Sequence, residues 1–132
     1  MLRGAWLAGC RLLCAVGNTR RQFAEVDGQC FHDAGLVVMD SVHALEEAGE
    51  LHRAVTDGAL PESKRATLAQ VATGAIEVPP AGMVVFKSVG TALQDLALAA
   101  RYYELLGARP GLPAAADVGS LKRPMAANRS QP

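Results

Sequence analysis

The feature that most constrains the fold is the segment MVVFKSVGTALQDLALAARYYELLGA, residues 83–108. It predicts a short apolar strand over 83–86, a polar turn over 87–90 and a long helix that ends near Leu106. Apolar residues recur along this helix at spacings of three and four, and they occupy more than one of its sides. Such a helix is normally buried on several sides, so it requires neighbours.

Two further runs predict buried strands. The run RLLCAVG, from Arg11 to Gly17, is short and apolar and ends in glycine, and LVVM, from Leu36 to Met39, is a second such run. Strands that alternate with helical segments predict an α/β protein with a parallel sheet and flanking helices. Two or three short strands make a small sheet, so we expect this chain to form part of a larger domain.

Helices are expected between the strands. Asp27 suits the cap of a short helical turn, and Asp40 and Ser41 suit the cap of an amphipathic helix. A further helix is predicted from Pro61 to Gly74, because proline is favoured in a first turn and glycine at a helix end. Three glutamates are expected on the solvated face of the helix: Glu46, Glu47 and Glu50. The histidines lack the spacing of metal ligands, and we expect them at the surface: His32, His43 and His52.

The 132 residues fit one domain. We predict that residues 1–106 form it and that residues 107–132, rich in Pro, Ala and Gly, form a disordered tail. Positive and negative charges balance, which gives no electrostatic argument for nucleic acid or an acidic membrane as partner. No segment of the sequence approaches the roughly 20 apolar residues that span a bilayer.

The three cysteines, Cys10, Cys14 and Cys30, are odd in number and lack the spacing of zinc ligands. They predict reduced thiols in a cytoplasmic protein and no metal site. The sequence Leu7-Ala8-Gly9-Cys10 is also similar to a lipoprotein cleavage box. The apolar run before Cys10 is short for a signal segment, so a lipid anchor is the less favoured alternative.

Several motifs occur in a fixed order along the chain. They are WLAGCRLLCAVG, Glu25-Val26-Asp27, LVVMDS, EEAGEL and VFKSVGTALQDLALAA. The series resembles the ornithine cyclodeaminase and mu-crystallin family over residues 6 to 106, in the carboxyl-terminal part of that family's fold. The most specific element is FKSVG, residues 86–90, with Ala92, Gln94 and Asp95.

The resemblance implies a partial Rossmann-like sheet whose last helix returns to a missing substrate-binding and dimerisation domain. It implies NAD or NADP chemistry on a small amino or imino acid, in a homodimer or together with a missing amino-terminal half. The sequence has no G-x-G-x-x-G turn for the pyrophosphate, and the family's carboxylate-binding Arg and Lys come from the amino-terminal part. We therefore expect a truncated or split family member, inactive alone.

Candidate site residues lie in two loops. Gly17, Asn18 and Thr19 follow a predicted strand, where ligands of open α/β sheets bind. Thr19 stands at the position of the cyclodeaminases' acid-base aspartate, and a hydroxyl can only orient or relay a proton. Imine reduction is therefore favoured over ornithine cyclisation. The alternative is a loop with no site role.

The second loop is Lys87, Ser88, Val89 and Gly90, a helix entry whose free amide groups suit an anion or an amide carbonyl of the cofactor. The alternative is a capped helix in which Gly90 allows close packing. Two functions remain open: a carboxyl-terminal portion of an NAD(P)-dependent imine or amino-acid oxidoreductase, and a non-catalytic module that associates through its apolar last helix.

Overall fold

The computed structural model describes residues 1–107. Four strands lie within them: β1 (Leu12–Ala15), β2 (Ala34–Met39), β3 (Arg65–Thr67) and β4 (Met83–Lys87). The α-helices of this part are α1 (Gly28–Asp33), α2 (Ala44–Glu47), α3 (Gly49–Thr56), α4 (Leu68–Ala72) and α5 (Ala92–Gly107). Single 3-10 turns occur at Gly4–Trp6 and Glu62–Lys64.

The strands form one sheet in the order β1-β4-β2-β3, and every pairing is parallel. Leu12 of β1 pairs with Val84 of β4, and Val37 of β2 pairs with Val85 on the other side of β4. This confirms the predicted α/β class with a parallel sheet and flanking helices. Neighbouring parallel strands end at the same edge, so the carboxyl ends of β1 and β4 lie side by side.

One face of the sheet holds most of the core. Successive strand residues point to opposite faces, and alternate residues of β2 and β4 pack here against α1, α2 and α3. The fully buried members of this cluster, at 0% exposure, are Cys30, Phe31, Val37, Ala44, Ala48, Leu51, Leu60 and Val85.

The opposite face is covered over a smaller area. Its buried residues are Leu36, Val38, Ala66 and Val84. On β1, Leu12 is 59% exposed and Cys14 is also exposed. Helix α4 packs near β2 and β3. In the described part of the chain, this face of the sheet is therefore covered by a helix beside β2 and β3 and is more exposed to solvent at β1.

The single helix predicted from Pro61 to Gly74 is wrong. A 3-10 turn, strand β3 and helix α4 divide this segment, because β3 pairs with β2 over three residues. Thr67 then caps α4 in a capping box with Gln70, each side chain bonding the other's backbone N–H. Tertiary pairing has overridden the local helical signal here.

The helix predicted after Asp40 and Ser41 is shorter than expected. Helix α2 has only four residues, and the residue at its amino-terminal cap is His43, which makes no side-chain capping bond. The Ser41 hydroxyl accepts from the His43 N–H at 3.2 Å. Asp40 contacts the turn after β4, as described below, so its predicted capping role is wrong. In contrast, Asp27 caps α1 as predicted, accepting from Cys30 N–H at 3.3 Å.

The chain divides into a compact unit over 1–95 and a second unit that begins at Leu96. Helix α5 starts at Ala92 and confirms the predicted long final helix. Its large apolar side chains are exposed: Leu93, Leu96, Leu98, Tyr102, Tyr103, Leu105 and Leu106. Between residues 1 and 107, no helix is long and apolar enough to cross a membrane. Gly107, the first residue of the predicted tail, is the last residue of α5, and the rest of that predicted segment lies beyond the described residues.

Candidate functional site

The two loops predicted as site residues meet at one edge of the sheet. β1 ends at Ala15, and Val16 and Gly17 lead into the loop after β1, residues 18–23; the turn after β4 begins at Ser88. The Ser88 N–H donates to the Ala15 carbonyl at 3.2 Å, which continues the pairing of β1 and β4 to their ends. This edge is the side of an open α/β sheet on which ligands bind.

Lys87, the last residue of β4, is fully buried below this edge. Its Nζ lies 2.5 Å from Glu25 Oε1 and 2.9 Å from Glu50 Oε1. A buried ammonium is stable only when it is paired, and two carboxylates surround this one. Along β4 it points to the same face as Met83 and Val85, into the larger core. Its charge is therefore directed inward.

Glu25 joins Lys87 to the end of β1. Its carboxylate accepts from the Gly17 N–H at 2.9 Å through one oxygen and 3.1 Å through the other. Burial acts to raise the pKa of Glu25, but hydrogen bonds from Lys87 and from the loop backbone outweigh it and lower the pKa. A Cβ on Gly17 would lie 2.7 Å from Glu25 Oε2, so only glycine allows this approach.

Glu50, the second residue of α3, joins Lys87 to the next loop residue. Its side chain accepts a hydrogen bond from Asn18 Nδ2. The same Asn18 amide donates to the Phe23 carbonyl at 3.0 Å, and Asn18 Oδ1 accepts from the Arg20 N–H at 3.0 Å. Asn18 is 9% exposed and Glu50 is 3% exposed. We name Gly17, Asn18, Glu25, Glu50 and Lys87 the buried network after its three buried members, Asn18, Glu50 and Lys87; Glu25 is partly buried and Gly17 is exposed.

Helix α3 begins directly against the loop after β1. A Cβ at Gly49 would lie 2.1 Å from the Arg21 carbonyl oxygen and 2.3 Å from that of Phe23. The Gly49 N–H donates to the Arg20 carbonyl at 3.3 Å, and the Arg53 guanidinium donates to the Phe23 carbonyl at 3.0 Å. Because glycine has no side chain, the backbone of α3 at position 49 can pack directly against this loop and hydrogen-bond to it.

The amides of the turn after β4 are not free, although the sequence predicted that they are. Asp40 Oδ2 accepts from the Ser88 hydroxyl at 2.6 Å, from the Val89 N–H at 3.0 Å and from the Gly90 N–H at 2.8 Å. The anion at this helix entry is a carboxylate of the chain itself. A cofactor phosphate would meet its negative charge.

The predicted site residues therefore differ in what they offer a ligand. Thr19 and Gly17 are exposed at the edge, and Thr19 is free to contact a ligand from solvent. Asn18 and Lys87 have internal partners for their side-chain polar groups. Direct contact of either side chain with a cofactor remains a prediction that their geometry does not favour.

Three residues of the edge were missed as site residues: Glu25, Asp40 and Glu50. Asp40 directly follows a buried strand, so the rule that selected Asn18 could have found it. Glu50 was predicted on a solvated face with Glu46 and Glu47, which are exposed as expected, but Glu50 is buried. Ala54, four residues later on the same side of α3, is also buried and was the available signal.

A cavity of about 420 Å³ lies elsewhere, toward the amino ends of the strands. It is lined by residues before β1, by Asp33 and by Gly82 and Met83 at the start of β4. The cavity is thus at the end of the sheet opposite to the predicted site residues. The candidate site is therefore the open edge at the carboxyl ends of β1 and β4, and not this cavity.

The ordered motifs, the parallel sheet and the edge geometry agree with one protein family. The model of the ornithine cyclodeaminase/mu-crystallin family matches residues 1–109. The chain belongs to this family. Within it, the chain is 38% identical over 101 residues to Delta(1)-pyrroline-2-carboxylate reductase 2 of Burkholderia ambifaria, covering 76% of this chain and 30% of that relative.

Solved structures of the family show the same fold. A probable ornithine cyclodeaminase from Bordetella pertussis Tohama I matches with a TM-score of 0.68 and 35% identity, over 78% of this chain and 34% of that one. Delta(1)-pyrroline-2-carboxylate reductase of Thermococcus litoralis, in complex with NADH and L-proline, matches with a TM-score of 0.67 and 27% identity, over 78% and 33% of the two chains. The chain thus spans about a third of the length of these relatives.

The described residues fit one part of a dinucleotide and not another. A pyrophosphate needs free amide or cationic donors. Asp40 occupies the amides of Val89 and Gly90, and Lys87 is buried between carboxylates, so none of these three predicted residues offers such a donor. Thr19, exposed at the end of β1, can hydrogen-bond a neutral group such as a carboxamide. This edge therefore suits the uncharged end of such a cofactor.

Proposed function

We propose that this chain forms the carboxyl-side part of the dinucleotide domain of an NAD(P)-dependent oxidoreductase that acts on a small amino or imino acid. The observation that supports this most strongly is the shared fold at 27% identity with a reductase whose structure contains NADH and L-proline. The nicotinamide cofactor would supply the hydride. This chain's residues would supply one wall of the site.

Cyclic-imine reduction is the activity we favour over ornithine cyclisation. Thr19 takes the position at which the sequence resemblance expects an aspartate in cyclodeaminases. A threonine hydroxyl can orient or relay a proton, but it does not exchange one near neutral pH as a carboxylate of tuned pKa can. The pyrroline-2-carboxylate reductase from Burkholderia, at 38% identity, supports the same choice.

We further propose that residues 1–132 do not hold NAD(P) by themselves. The sequence contains no G-x-G-x-x-G turn, and the Val89 and Gly90 amides are occupied by Asp40. The remaining two thirds of the family fold would provide the pyrophosphate and substrate carboxylate receptors and a dimer interface. A cytoplasmic location, which the free thiols suit, belongs to the same proposal.

A chimera tests the proposal. The stretch of the Burkholderia reductase that aligns with this chain is replaced by residues 1–107, and oxidation of NADPH and NADH is followed with pyrroline-2-carboxylate. We expect reductase activity within about a hundredfold of the parent enzyme. A folded chimera without activity that still binds NADPH would contradict the proposed catalytic role.

The control is Thr19→Val in the chimera, which keeps the shape of the side chain and removes its hydroxyl. We expect kcat to fall by about 10²-fold, the lower part of the usual range for proton-transfer groups.

Calorimetric titration of the 132-residue chain alone with NADPH is expected to show no saturable micromolar binding. Saturable binding would contradict the proposal that this chain needs the rest of the family fold to hold NAD(P).

A module that binds a protein partner is the second candidate function. It is favoured by the exposure of the large apolar side chains of α5, of which Tyr103 is 80% and Leu93 is 73% exposed. Size-exclusion chromatography with light scattering distinguishes the two cases. A dimer that becomes monomeric on Leu96→Glu but not on Glu104→Gln would support association through α5, and a monomeric parent chain would argue against it.

A further inference from the structure

We infer that the buried network positions the loop after β1, residues 18–23, and that Lys87 acts through its two carboxylates and not as a cofactor contact. The importance of this loop for catalysis rests on the proposed function. The positioning itself concerns only this chain. Four separate segments meet in the network: the end of β1, the segment before α1, the start of α3 and the end of β4.

The charges of the network are arranged around one cation. One buried ammonium lies between two carboxylates, at 2.5 Å from Glu25 and 2.9 Å from Glu50. Each carboxylate is also bonded where the loop begins, Glu25 to the N–H of Gly17, which directly precedes the loop, and Glu50 to the side-chain amide of Asn18, its first residue. Lys87 therefore determines where both acceptors lie. The acceptors determine where the loop begins.

Asn18 holds the loop through its side chain. Its side chain bonds the Arg20 N–H at 3.0 Å and the Phe23 carbonyl at 3.0 Å, so it closes the loop across five residues. Thr19 lies inside that closed segment, between Asn18 and its bonded partner Arg20. The conformation of Thr19 is thus set by a side chain that Glu50 holds in place. Residues 19–23 are otherwise exposed.

Removing the cation leaves two carboxylates beside each other. Without Lys87, the buried Glu50 and the partly buried Glu25 would lie close together with no positive charge between them, and both cannot stay ionised there. One carboxylate would bind a proton or move toward solvent. Either change weakens the bond to Gly17 or to Asn18 and releases the loop, while the apolar core on the same face of the sheet keeps its contacts.

A network that only stabilises the fold predicts something different. A network that only stabilises the fold leaves the local opening of the loop unchanged and accelerates only the amides that exchange through complete unfolding, whereas a network that holds the loop also accelerates the loop amides. Hydrogen exchange resolved by residue separates these two cases. It requires no cofactor, so the result is independent of whether the chain belongs to a reductase.

The experiment compares amide hydrogen exchange by NMR in the 132-residue chain and in two variants, Glu50→Gln and Lys87→Met. Glu50→Gln keeps the size of the side chain and removes its charge. We expect the Gly17 and Arg20 amides to exchange about tenfold faster in each variant, a factor that matches the loss of one typical hydrogen bond. The Val37 and Val85 amides in the sheet are expected to accelerate by no more than a similar factor, because loss of a native contact also lowers the global free energy of unfolding.

The matched control is Arg101→Gln, which breaks the exposed ion pair with Glu104 at 3.1 Å. It is expected to leave the exchange of Gly17 and Arg20 unchanged. Unchanged Gly17 and Arg20 amides in Glu50→Gln, with or without faster exchange of the sheet amides, would overturn the inference. If Lys87→Met does not fold, Glu50→Gln decides the question. If neither folds, the network is a requirement of the whole fold and the inference is wrong.

Failure of the proposed function gives a different pattern. A chimera that folds and lacks reductase activity, together with local acceleration at Gly17 and Arg20, would remove the enzyme and keep the positioning network. An active chimera together with unchanged exchange of the Gly17 and Arg20 amides would support the enzyme and contradict the positioning network.

Discussion

The carboxylate of Asp40, at the end of β2, accepts a hydrogen bond from the backbone N–H of Gly90 at 2.8 Å. These residues are 50 positions apart in sequence, and the bond joins the loops that follow two neighbouring strands. Gly90 has a φ of 80°, which is in the left-handed region that glycine adopts without strain. The turn thereby directs its amides at a carboxylate of the chain itself.

Asp40→Ala is expected to destabilise the chain by about 1–3 kcal/mol, because the Val89 and Gly90 amides and the Ser88 hydroxyl lose a charged acceptor. Urea denaturation followed by circular dichroism measures the change. Glu77→Ala, at an exposed loop position, is the control and should have an effect below about 0.5 kcal/mol. Equal midpoints for the two variants would contradict the role of Asp40.

Gly49→Ala is expected to be more damaging than a typical glycine substitution. Its new Cβ would lie 2.1 Å from the Arg21 carbonyl oxygen, a backbone atom that cannot rotate away. Overpacking of this kind costs about 1–3 kcal/mol or more. Gly28→Ala is the control, because its Cβ would meet nothing within 4 Å. A thermal melt in which the two variants have the same midpoint would show that the loop yields easily.

The cysteines are expected to react at very different rates. Burial, together with the neighbouring Asp27 carboxylate, raises the pKa of Cys30 to about 11, and its side chain is fully buried. Since the thiolate is the reactive form, iodoacetamide at about pH 8 should modify exposed Cys14 first and partly exposed Cys10 next. Mass spectrometry of peptides identifies the modified residue, and unfolding in guanidinium should make Cys30 react too. Modification of native Cys30 at the rate of Cys14 would refute this order.

Acid is expected to weaken the link between Glu25 and its partners. The folded-state pKa of Glu25 is below its ordinary value of 4.5, so its contribution to stability is complete above about pH 4.5 and is lost as the pH falls through the lower folded value. Glu25→Gln should therefore lower stability at pH 7 and flatten the loss of stability below about pH 5.

Urea midpoints measured at several pH values test this prediction. The control is Glu47→Gln, since Glu47 is exposed on α2 and loses the same carboxylate. If its pH dependence changes as much as that of Glu25→Gln, the effect is one of net charge and not of the contacts of Glu25.

The elements with a local signal were predictable from sequence. Strand β4 and helix α5 follow from an uninterrupted apolar run and a period of three to four, and Asp27 is a cap of the preferred residue type. Strand β3 has the sequence RAT, with a single apolar residue, and exists because β2 offers it a parallel edge. No local pattern contains that information.

The site was only partly predictable for the same reason. A rule about strand ends located Thr19 and Lys87 at one edge. The partners of Lys87 lie 62 and 37 positions away in sequence, at Glu25 and Glu50, and their burial depends on the crossing of α3 over the end of β1. Sequence could place the lysine at the edge, but only the packed structure shows that its charge is directed inward.

The order of the strands in the sheet also determines when each strand can pair during synthesis of the chain. Within residues 1–107, β1 pairs only with β4, so Leu12 waits for Val84 to be made. At about 5–20 residues per second, that delay is on the order of several seconds. During this time the apolar segment Leu12–Ala15 lacks its partner β4, whereas β2 and β3 can already pair. Among the four described strands, β1 therefore waits longest for a partner of this sheet, and we expect chaperone binding on the ribosome at this segment.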